Sequence, residues 1–263
     1  MERRAGPLRP PSAAVRVAFF VVGGALTLFF LGLTTVAAVN TLGRHVEVVE
    51  VGWSEPVRTV RIEVGSGSVD VRGTERPGVR GTRRTEHGLQ GPSMSERVEG
   101  DTLVLTSVCP GMATPWCGSS YTLEVPRSVR LEVEAGTAST TVRGTDGGVA
   151  VDSGTGRVDL WDVGGPLDLQ TGTGKVEGRD LRSGIVKAET GAGSAVLAFA
   201  EAPTSVRVQT GLGSATVVVP RGEDYKVTTD GARALVEVPT DPASPRTIDV
   251  TTGAGGIRIV HPG

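Results

Sequence analysis

Aromatic residues are scarce in this chain of 263 residues and make up 4% of it. Four of the five phenylalanines cluster at Phe19, Phe20, Phe29 and Phe30. Elsewhere the core must therefore be built from Val, Leu, Ile and Ala. This composition predicts a narrow interior with no room for large rings between two close β-sheets.

Histidine and cysteine are also rare, which excludes most site chemistry. His45, His87 and His261 are the only histidines, and none has the spacing of a metal site or a catalytic triad. No Gly-Gly-x-Gly-x-Asp calcium repeat is present. We therefore predict no catalytic residues, no cofactor and no metal ligands.

The charge is divided unevenly along the chain. Residues 1–40 hold four Arg and one Glu, which leaves 23 basic and 28 acidic residues for the remainder. A mildly acidic main portion argues against nucleic acid as a partner, because phosphate binding needs a basic face.

One long uncharged run, Val17 to Val39, spans 23 residues. A helix of about 20 residues crosses the hydrocarbon layer, and cleaved signal peptides have shorter apolar cores. We therefore expect a transmembrane helix at 17–39, with cleavage after Ala38 as the alternative. No cysteine follows the run, so a lipoprotein anchor is excluded.

The flanking arginines predict the orientation of that helix. Only Arg44 follows closely, whereas four arginines precede the run, namely Arg3, Arg4, Arg9 and Arg16. The positive-inside rule places a tail of residues 1–16 in the cytoplasm and the C-terminal bulk outside. The expected location is the cell membrane, with a single pass.

A repeat organises the rest of the chain. Each copy runs from an alternating apolar strand into a Gly-x-Gly or Gly-x-Ala corner and then into a second alternating strand. Successive corners from Gly136 to Gly253 are mostly 18–20 residues apart. The corner glycines, which we expect to allow sharp bends, are Gly65, Gly67, Gly136, Gly154, Gly156, Gly172, Gly174, Gly191, Gly193, Gly211, Gly213, Gly253 and Gly255.

This pattern predicts an all-β fold, a β-solenoid or β-helix-like stack of short two-strand repeats. Residues 40–56 are interpreted as a spacer and 57–263 as the extracytoplasmic repeat domain. Residues 72–130 interrupt the repeats and are interpreted as an irregular insertion. Cys109 and Cys117 lie in it, and two cysteines in an exported domain predict a structural disulfide.

Some short motifs resemble active sites. Residues 152–155, Asp-Ser-Gly-Thr, resemble an aspartic-protease loop, but that chemistry needs a second such loop. The glycines of 172–178 resemble a dinucleotide-binding loop, but no helix pattern follows them. Asp70, Asp159 and Asp168 could act as acid and base on a saccharide, although solvated strand faces carry such residues routinely.

The region from about Val57 to Val260 resembles a bacterial family of β-strand-repeat domains of unknown function that are labelled "putative adhesins". The resemblance rests on GSGSVDVRG, on the cysteine loop followed by YTLEVP, on the serial T-G-x-G corners and on the VVVP and VEVP repeat ends. It implies a membrane-anchored repeat protein, and the family has no established catalytic residues to transfer.

Three functions follow from these observations. The first is a non-catalytic, adhesin-like surface module of the cell envelope that binds a cell-wall polymer or an envelope protein. The second is a structural or regulatory partner of envelope membrane proteins, and the third is a polysaccharide-acting enzyme. The lack of assembled catalytic groups favours the first. The oligomeric state is left open.

Overall fold

The computed structural model describes residues 13–88, 90–110 and 117–263. The first unit carries one helix, α1 (Ala13–Leu42), and a second compact unit begins at His45. The strands of the second unit are β1 (His45–Trp53), β2 (Thr59–Thr74), β3 (Val79–His87), β4 (Ser93–Glu99), β5 (Thr102–Val108), β6 (Gly118–Pro126), β7 (Arg130–Arg143), β8 (Val149–Trp161), β9 (Leu167–Leu181), β10 (Ile185–Phe199), β11 (Ser205–Leu212), β12 (Ala215–Val218), β13 (Lys226–Asp230), β14 (Arg233–Val236), β15 (Thr247–Ala254) and β16 (Gly256–Val260).

The helix α1 covers the long uncharged run, and its described large apolar side chains are exposed, for example Phe20 and Leu28. Among the described residues, no helix has both the length and the hydropathy that a membrane crossing requires. The transmembrane helix expected at 17–39 is thus not confirmed. Residues 1–12 of the expected cytoplasmic tail lie outside the described residues.

The repeats form a parallel stack, and the prediction of a fold dominated by β-strands is confirmed. Each of β2, β7, β8, β9 and β10 is one long strand bent at its glycine corner into a first arm and a second arm. Neighbouring repeats pair in parallel and in register, as from Val149 opposite Leu167 to Trp161 opposite Arg179. Side chains alternate along each arm, so every layer of the stack, here called a rung, sends one set of apolar residues inward.

The rung at one end is not the last repeat of the sequence. The repeat of β15 and β16 inserts between the rung of β11 and β12 and the rung of β13 and β14. The order of the repeats along the chain therefore differs from their order in the stack. β13 is also shifted by two residues relative to the sequence repeat. The repeat aligns Val227 with Val250, whereas in the sheet Val227 pairs with Ile248.

The other end contains a rung that the repeat pattern does not reveal. Within the expected irregular insertion, β5 pairs in parallel with the first arm of β2, and β6 pairs with its second arm. Beyond this rung, β4 pairs antiparallel with β5 and β3 with β6, and β1 adds to β3. Part of the expected spacer, His45–Trp53, is therefore a strand of the sheet.

The core is mostly aliphatic, but the expected absence of room for large rings is wrong, because Tyr121, Tyr225 and Phe199 are buried in it. The inward residues are fully buried along successive rungs, among them Val60, Leu131 and Ile248. Gly178 occupies one inward position, and a Cβ there would lie 2.7 Å from Leu181 Cδ1. The side chain of Leu181 thus fills the space that the glycine leaves.

The corners need glycine for two separate reasons. At the first glycine, a Cβ on Gly172 would come within 2.6 Å of the carbonyl oxygen of Gly154 on the next rung. At the second, the φ of Gly193 is 148°, and a Cβ would meet the oxygen of Gly174 at 1.6 Å. Positive φ therefore belongs to the second glycine of a corner, as at Gly174, and not to the first, as at Gly172.

Candidate binding surface

The outward side chains of the second arms form a charged face, here called the second-arm face. It comprises three outward positions on each of the second arms of β2, β7, β8 and β9, that is residues 68, 70, 72, 139, 141, 143, 157, 159, 161, 175, 177 and 179. Because the strands pair in register, equivalent positions lie in rows across the rungs.

Trp161 is held between two guanidinium groups on the rungs either side of it. The Cζ atoms of Arg143 and Arg179 lie 5.0 Å and 5.2 Å from the ring centroid. Both faces of the indole are thus covered by cations, in the range of a cation–π interaction. Arg143 also binds Asp70 at 3.0 Å, which fixes its position.

Glu177 is the centre of the cluster, with 7% of its side chain exposed. Its carboxylate accepts hydrogen bonds from Lys175 Nζ at 2.6 Å and Arg157 Nη2 at 2.7 Å, and it also pairs with Arg179. The bond from Lys175 is the largest of the causes that hold the pKa of Glu177 below its ordinary value of 4.5, against the opposing effect of burial. An ionised, buried carboxylate positions three cations and cannot act as a general acid near neutral pH.

The two outer faces of the stack differ in sign over the same five rungs. The second-arm face, extended by the outward positions of the second arm of β10, carries three carboxylates, namely Asp70, Asp159 and Glu177. It carries five cations, namely Arg72, Arg143, Arg157, Lys175 and Arg179. The outward positions of the first arms carry three cations, Arg61, Arg130 and Lys187, and six carboxylates, Glu63, Glu132, Glu134, Asp152, Asp168 and Glu189. The net positive side is therefore the one that carries Trp161.

The carboxylates considered as an acid and base pair are each engaged by a cation. Asp70 binds Arg143, Asp159 binds Arg157 at 2.6 Å, and Asp168 lies 4.0 Å from Lys187. Asp70 and Asp159 lie on the second-arm face, whereas Asp168 lies on the first-arm side, so Asp168 cannot pair with either of them across one substrate.

The other apparent motifs belong to the corners. Asp152 and Gly172 line a shallow groove along the corners of successive repeats, in which Gln170, Glu189 and Gln209 take the positions equivalent to Asp152. A single aspartate in a row of changing residues does not make a protease dyad. The glycines of the corner from 172 to 174 meet the backbone of the next rung and are followed by a strand, not by a helix.

The structure also gives the contacts of the three histidines and the two cysteines. His45 and His87 stack on each other, while His261 bonds the carbonyl oxygen of Val219. Cys109 and Cys117 form a disulfide with Cα atoms 5.9 Å apart. This bond closes the corner of the rung of β5 and β6, and residues 111–116 between the cysteines lie outside the described part. Over that part, no group of three or more His, Cys, Asp or Glu side chains is arranged to hold a metal.

The interpretation of the sequence alone missed Trp161 and its arginines, although a signal was present. Arg143, Trp161 and Arg179 are spaced by 18 residues, the same interval as the corners of their repeats. Residues that occupy one position in consecutive repeats become neighbours when the repeats stack in register. Aligning the outward positions as well as the apolar ones would have placed them together.

Comparison with known proteins found no matching family model and no matching curated protein. Among solved structures, a "putative cell adhesion protein" from Clostridium sporogenes is 16% identical, with a TM-score of 0.42, and the match covers 83% of this chain and 100% of that one. A "putative adhesin" from Bacteroides fragilis is 12% identical, with a TM-score of 0.43, and covers 82% and 97%. A "putative lipid binding protein" from Parabacteroides distasonis is 9% identical, with a TM-score of 0.39, and covers 83% and 97%.

Proposed function

We propose that the chain is a non-catalytic binding module of the cell envelope that holds an anionic polymer on its second-arm face. The observation that carries the proposal is the row of Arg143, Trp161 and Arg179, which presents two cations on either side of an indole ring. Because rungs are about 4.8 Å apart, the two cations are separated by about 10 Å, which suits a polymer with regularly repeated charges. Because the arginines are oriented before binding, less side-chain entropy is lost when a ligand is bound.

Charge balance supports an anionic ligand over a neutral one. The second-arm face keeps more cations than carboxylates, whereas the first arms carry the reverse. Arg157, Arg179 and Arg143 keep 49%, 50% and 38% of their side chains exposed, so their outer N–H groups remain accessible. Guanidinium groups bind phosphate and carboxylate in a two-pronged geometry.

The test is retention of the detergent-solubilised full chain on immobilised polyphosphate, with neutral dextran as the reference polymer. We expect selective retention that falls as salt rises from about 0.05 M to 0.5 M, since exposed charges are screened over a few ångströms at high salt. A double variant Arg143→Ala/Arg179→Ala should weaken binding about tenfold, a change of about 1.4 kcal/mol.

The matched control is Arg130→Ala/Arg207→Ala, which removes two exposed cations from the first arms. Equal loss in both double variants, or equal retention on dextran, would contradict the assignment of the face. The polymer should be recovered at its original length, and reproducible shortening that Asp159→Asn abolishes would favour an enzyme instead.

We also propose that the module is displayed outside the cell and attached to the membrane through α1. Two features of the sequence support this, the uncharged run of 17–39 and the four arginines that precede it. Protease added to wall-stripped intact cells should digest the second compact unit, which begins at His45. Complete protection there, with digestion only after lysis, would place the unit inside.

A further inference from the structure

One edge of the β-sheet is a long strand with a single partner. Within the part of the chain that the structure describes, β1 pairs with β3 along its whole length and with no other strand. From Val46 to Gly52, the backbone makes no hydrogen bond to any described residue on the side away from β3. A strand edge with unpaired N–H and C=O groups is a template for another strand.

Natural proteins protect such edges, and β1 lacks the usual protection. It contains no lysine and no proline, and its register with β3 has no bulge. Val46 and Val48 are instead 48% and 61% exposed. The strand β4, which pairs only with β5 among the described strands, is different, because Glu96, Arg97 and Glu99 all take part in ion pairs there.

Alternation divides the side chains of β1 between the two faces of the sheet. Val51 and Trp53 pack against the core, so Val46, Val48 and Glu50 lie on the opposite, outer face. Directly paired residues share a face, and the pairing from β2 through β6 and β3 puts these three residues on the same side of the sheet as the second-arm face.

Two copies of β1 fit each other when they run antiparallel about Val48. On the outer face, Val48 then lies opposite Val48 of the other copy, and Val46 lies opposite Glu50. On the inner face, Glu47 lies opposite Val49. No two carboxylates face each other directly, and the exposed valines of both copies form one apolar cluster. A parallel arrangement in register would instead place Glu47 beside Glu47 and Glu50 beside Glu50, which is unfavourable.

The position of β1 in the chain also favours a second copy as its partner. Only Gly43 and Arg44 separate β1 from the end of α1. Anchoring through α1, as proposed above, would hold the β1 strands of neighbouring copies at one membrane surface and so raise their effective concentration for each other.

We propose that two copies of this chain join through their β1 edges to form a two-fold dimer with one continuous sheet. The axis passes through Val48 perpendicular to the sheet, and the contact closes on itself. Because such an axis preserves the two faces of the sheet, the second-arm faces of both copies lie on the same side, where a long polymer can reach both. The dimer does not require that binding, so the two proposals can fail separately.

The first experiment measures the mass of the detergent-solubilised full chain by light scattering and sedimentation over a range of concentrations. We expect the wild type to dimerise. Val48→Lys should raise the dimer dissociation constant about tenfold or more, because the apolar contact at the axis is lost and two ammonium groups face each other. Val48→Glu should do the same with two carboxylates. An equimolar mixture of the two variants should dimerise about fivefold more tightly than either alone, since opposite charges then face each other.

Ile185→Lys is the matched control, because Ile185 is a branched apolar residue of similar exposure, 57%, at the start of β10. It should leave the dissociation constant unchanged. A wild type that stays monomeric at every concentration, or a mixture no tighter than the single variants, would overturn the proposal. A dimer that Val48→Lys leaves intact would place the contact elsewhere, for example between the helices α1, and would overturn it as well.

A second measurement tests the register without adding charge. Val48→Cys places two thiols across the axis on directly opposed residues, and a mild oxidant should join them into a covalent dimer. The native Cys109 and Cys117 are already joined to each other. Val46→Cys, the next position on the same face, places its two thiols four residues apart along the strands, about 13 Å, and should give no covalent dimer. Equal cross-linking of the two variants, or none with Val48→Cys, would contradict the β1 interface.

Discussion

Gly193 combines the two restrictions found at the corners, positive φ and close approach to a neighbouring backbone. Its φ is 148°, and a Cβ would lie 1.6 Å from the carbonyl oxygen of Gly174. We expect Gly193→Ala to lower the free energy of unfolding by about 2–4 kcal/mol, from backbone strain together with the steric clash. Urea denaturation of the purified protein measures the change.

Gly256 is the matched control for that substitution. Nothing lies within 4 Å of a Cβ placed there, and its φ is not positive. Gly256→Ala should leave stability unchanged or raise it by about 0.5 kcal/mol, through a smaller loss of backbone entropy. Equal destabilisation by both variants would mean that the corner contacts do not hold the rungs together.

The two tyrosines supply a second test at the scale of residues. Burial raises the pKa of Tyr121 to about 12, and burial also raises the pKa of Tyr225. The folded protein should therefore show less tyrosinate absorbance near pH 10 than the unfolded protein, in which tyrosine is half ionised at that pH. Both should ionise near pH 10 in concentrated urea.

The raised pKa values of the two tyrosines also determine how the stability of the fold changes with pH. The folded state favours the neutral phenols, so their contribution is complete below the unfolded pKa and decreases as the pH rises above about 10. The unfolding midpoint should then decline in alkali. Tyrosinate formation near pH 10 in the folded protein would contradict the buried positions of both rings.

Among the strands, the contact between β8 and β9 includes the ion cluster at Glu177. Glu177→Gln removes the charge that Arg157, Lys175 and Arg179 share, and we expect a loss of about 1–2 kcal/mol because charged hydrogen bonds are replaced by neutral ones. Thermal unfolding measures it. Glu201→Gln, which makes the same change at an exposed carboxylate, is the control and should have a small effect.

The pH dependence of this contact has a definite direction. The folded pKa of Glu177 is below its ordinary value of 4.5, so the stabilisation is present above that value and is lost as the pH falls through the lowered pKa. The pKa values of Glu132 and Asp146 are also lowered, chiefly by hydrogen bonds from Arg61 and Arg127. Glu177→Gln should therefore flatten the acid side of the stability curve, and an unchanged acid slope would contradict this account.

The repeating strands could be predicted from the sequence because each one obeys a local rule. Apolar alternation sets the buried face, and the corner glycines mark where each strand bends. The rung of β5 and β6 was missed because its corner carries a disulfide-closed loop in place of glycines. The position of β15 was missed because repeats of similar pattern fit next to any other repeat, so alternation does not determine their order.

The candidate surface was less predictable than the fold. Outward positions are free to vary, so no local rule singles out Trp161 or Glu177 before the strands are paired. Only the common register brings Arg143, Trp161 and Arg179 side by side. The carboxylates that looked like acid and base candidates lost that role for the same reason, because their cationic partners lie on the same strand or on neighbouring rungs.

For the whole molecule, the order of the last rungs predicts the effect of shortening the chain. A chain stopped at Arg246 lacks β15 and β16, the strands on which β13 and β14 depend for pairing. Trypsin should then cleave rapidly after Lys226 and Arg233, while Lys187 on β10, which keeps both neighbouring strands, stays protected. Equal protection of Lys226 in the full and shortened chains would show that β13 can pair elsewhere.

The order of the rungs also determines when the outermost rung can fold during synthesis. A ribosome delivers Lys226–Val236 before Thr247–Val260, yet the earlier segment needs the later one beside it to form a rung. The outermost strands, β13 and β14, can therefore pair with β15 and β16 only when synthesis has passed residue 260. The outermost rung of the stack is thus not the last one to be synthesised, and its folding follows that of the rung beside it.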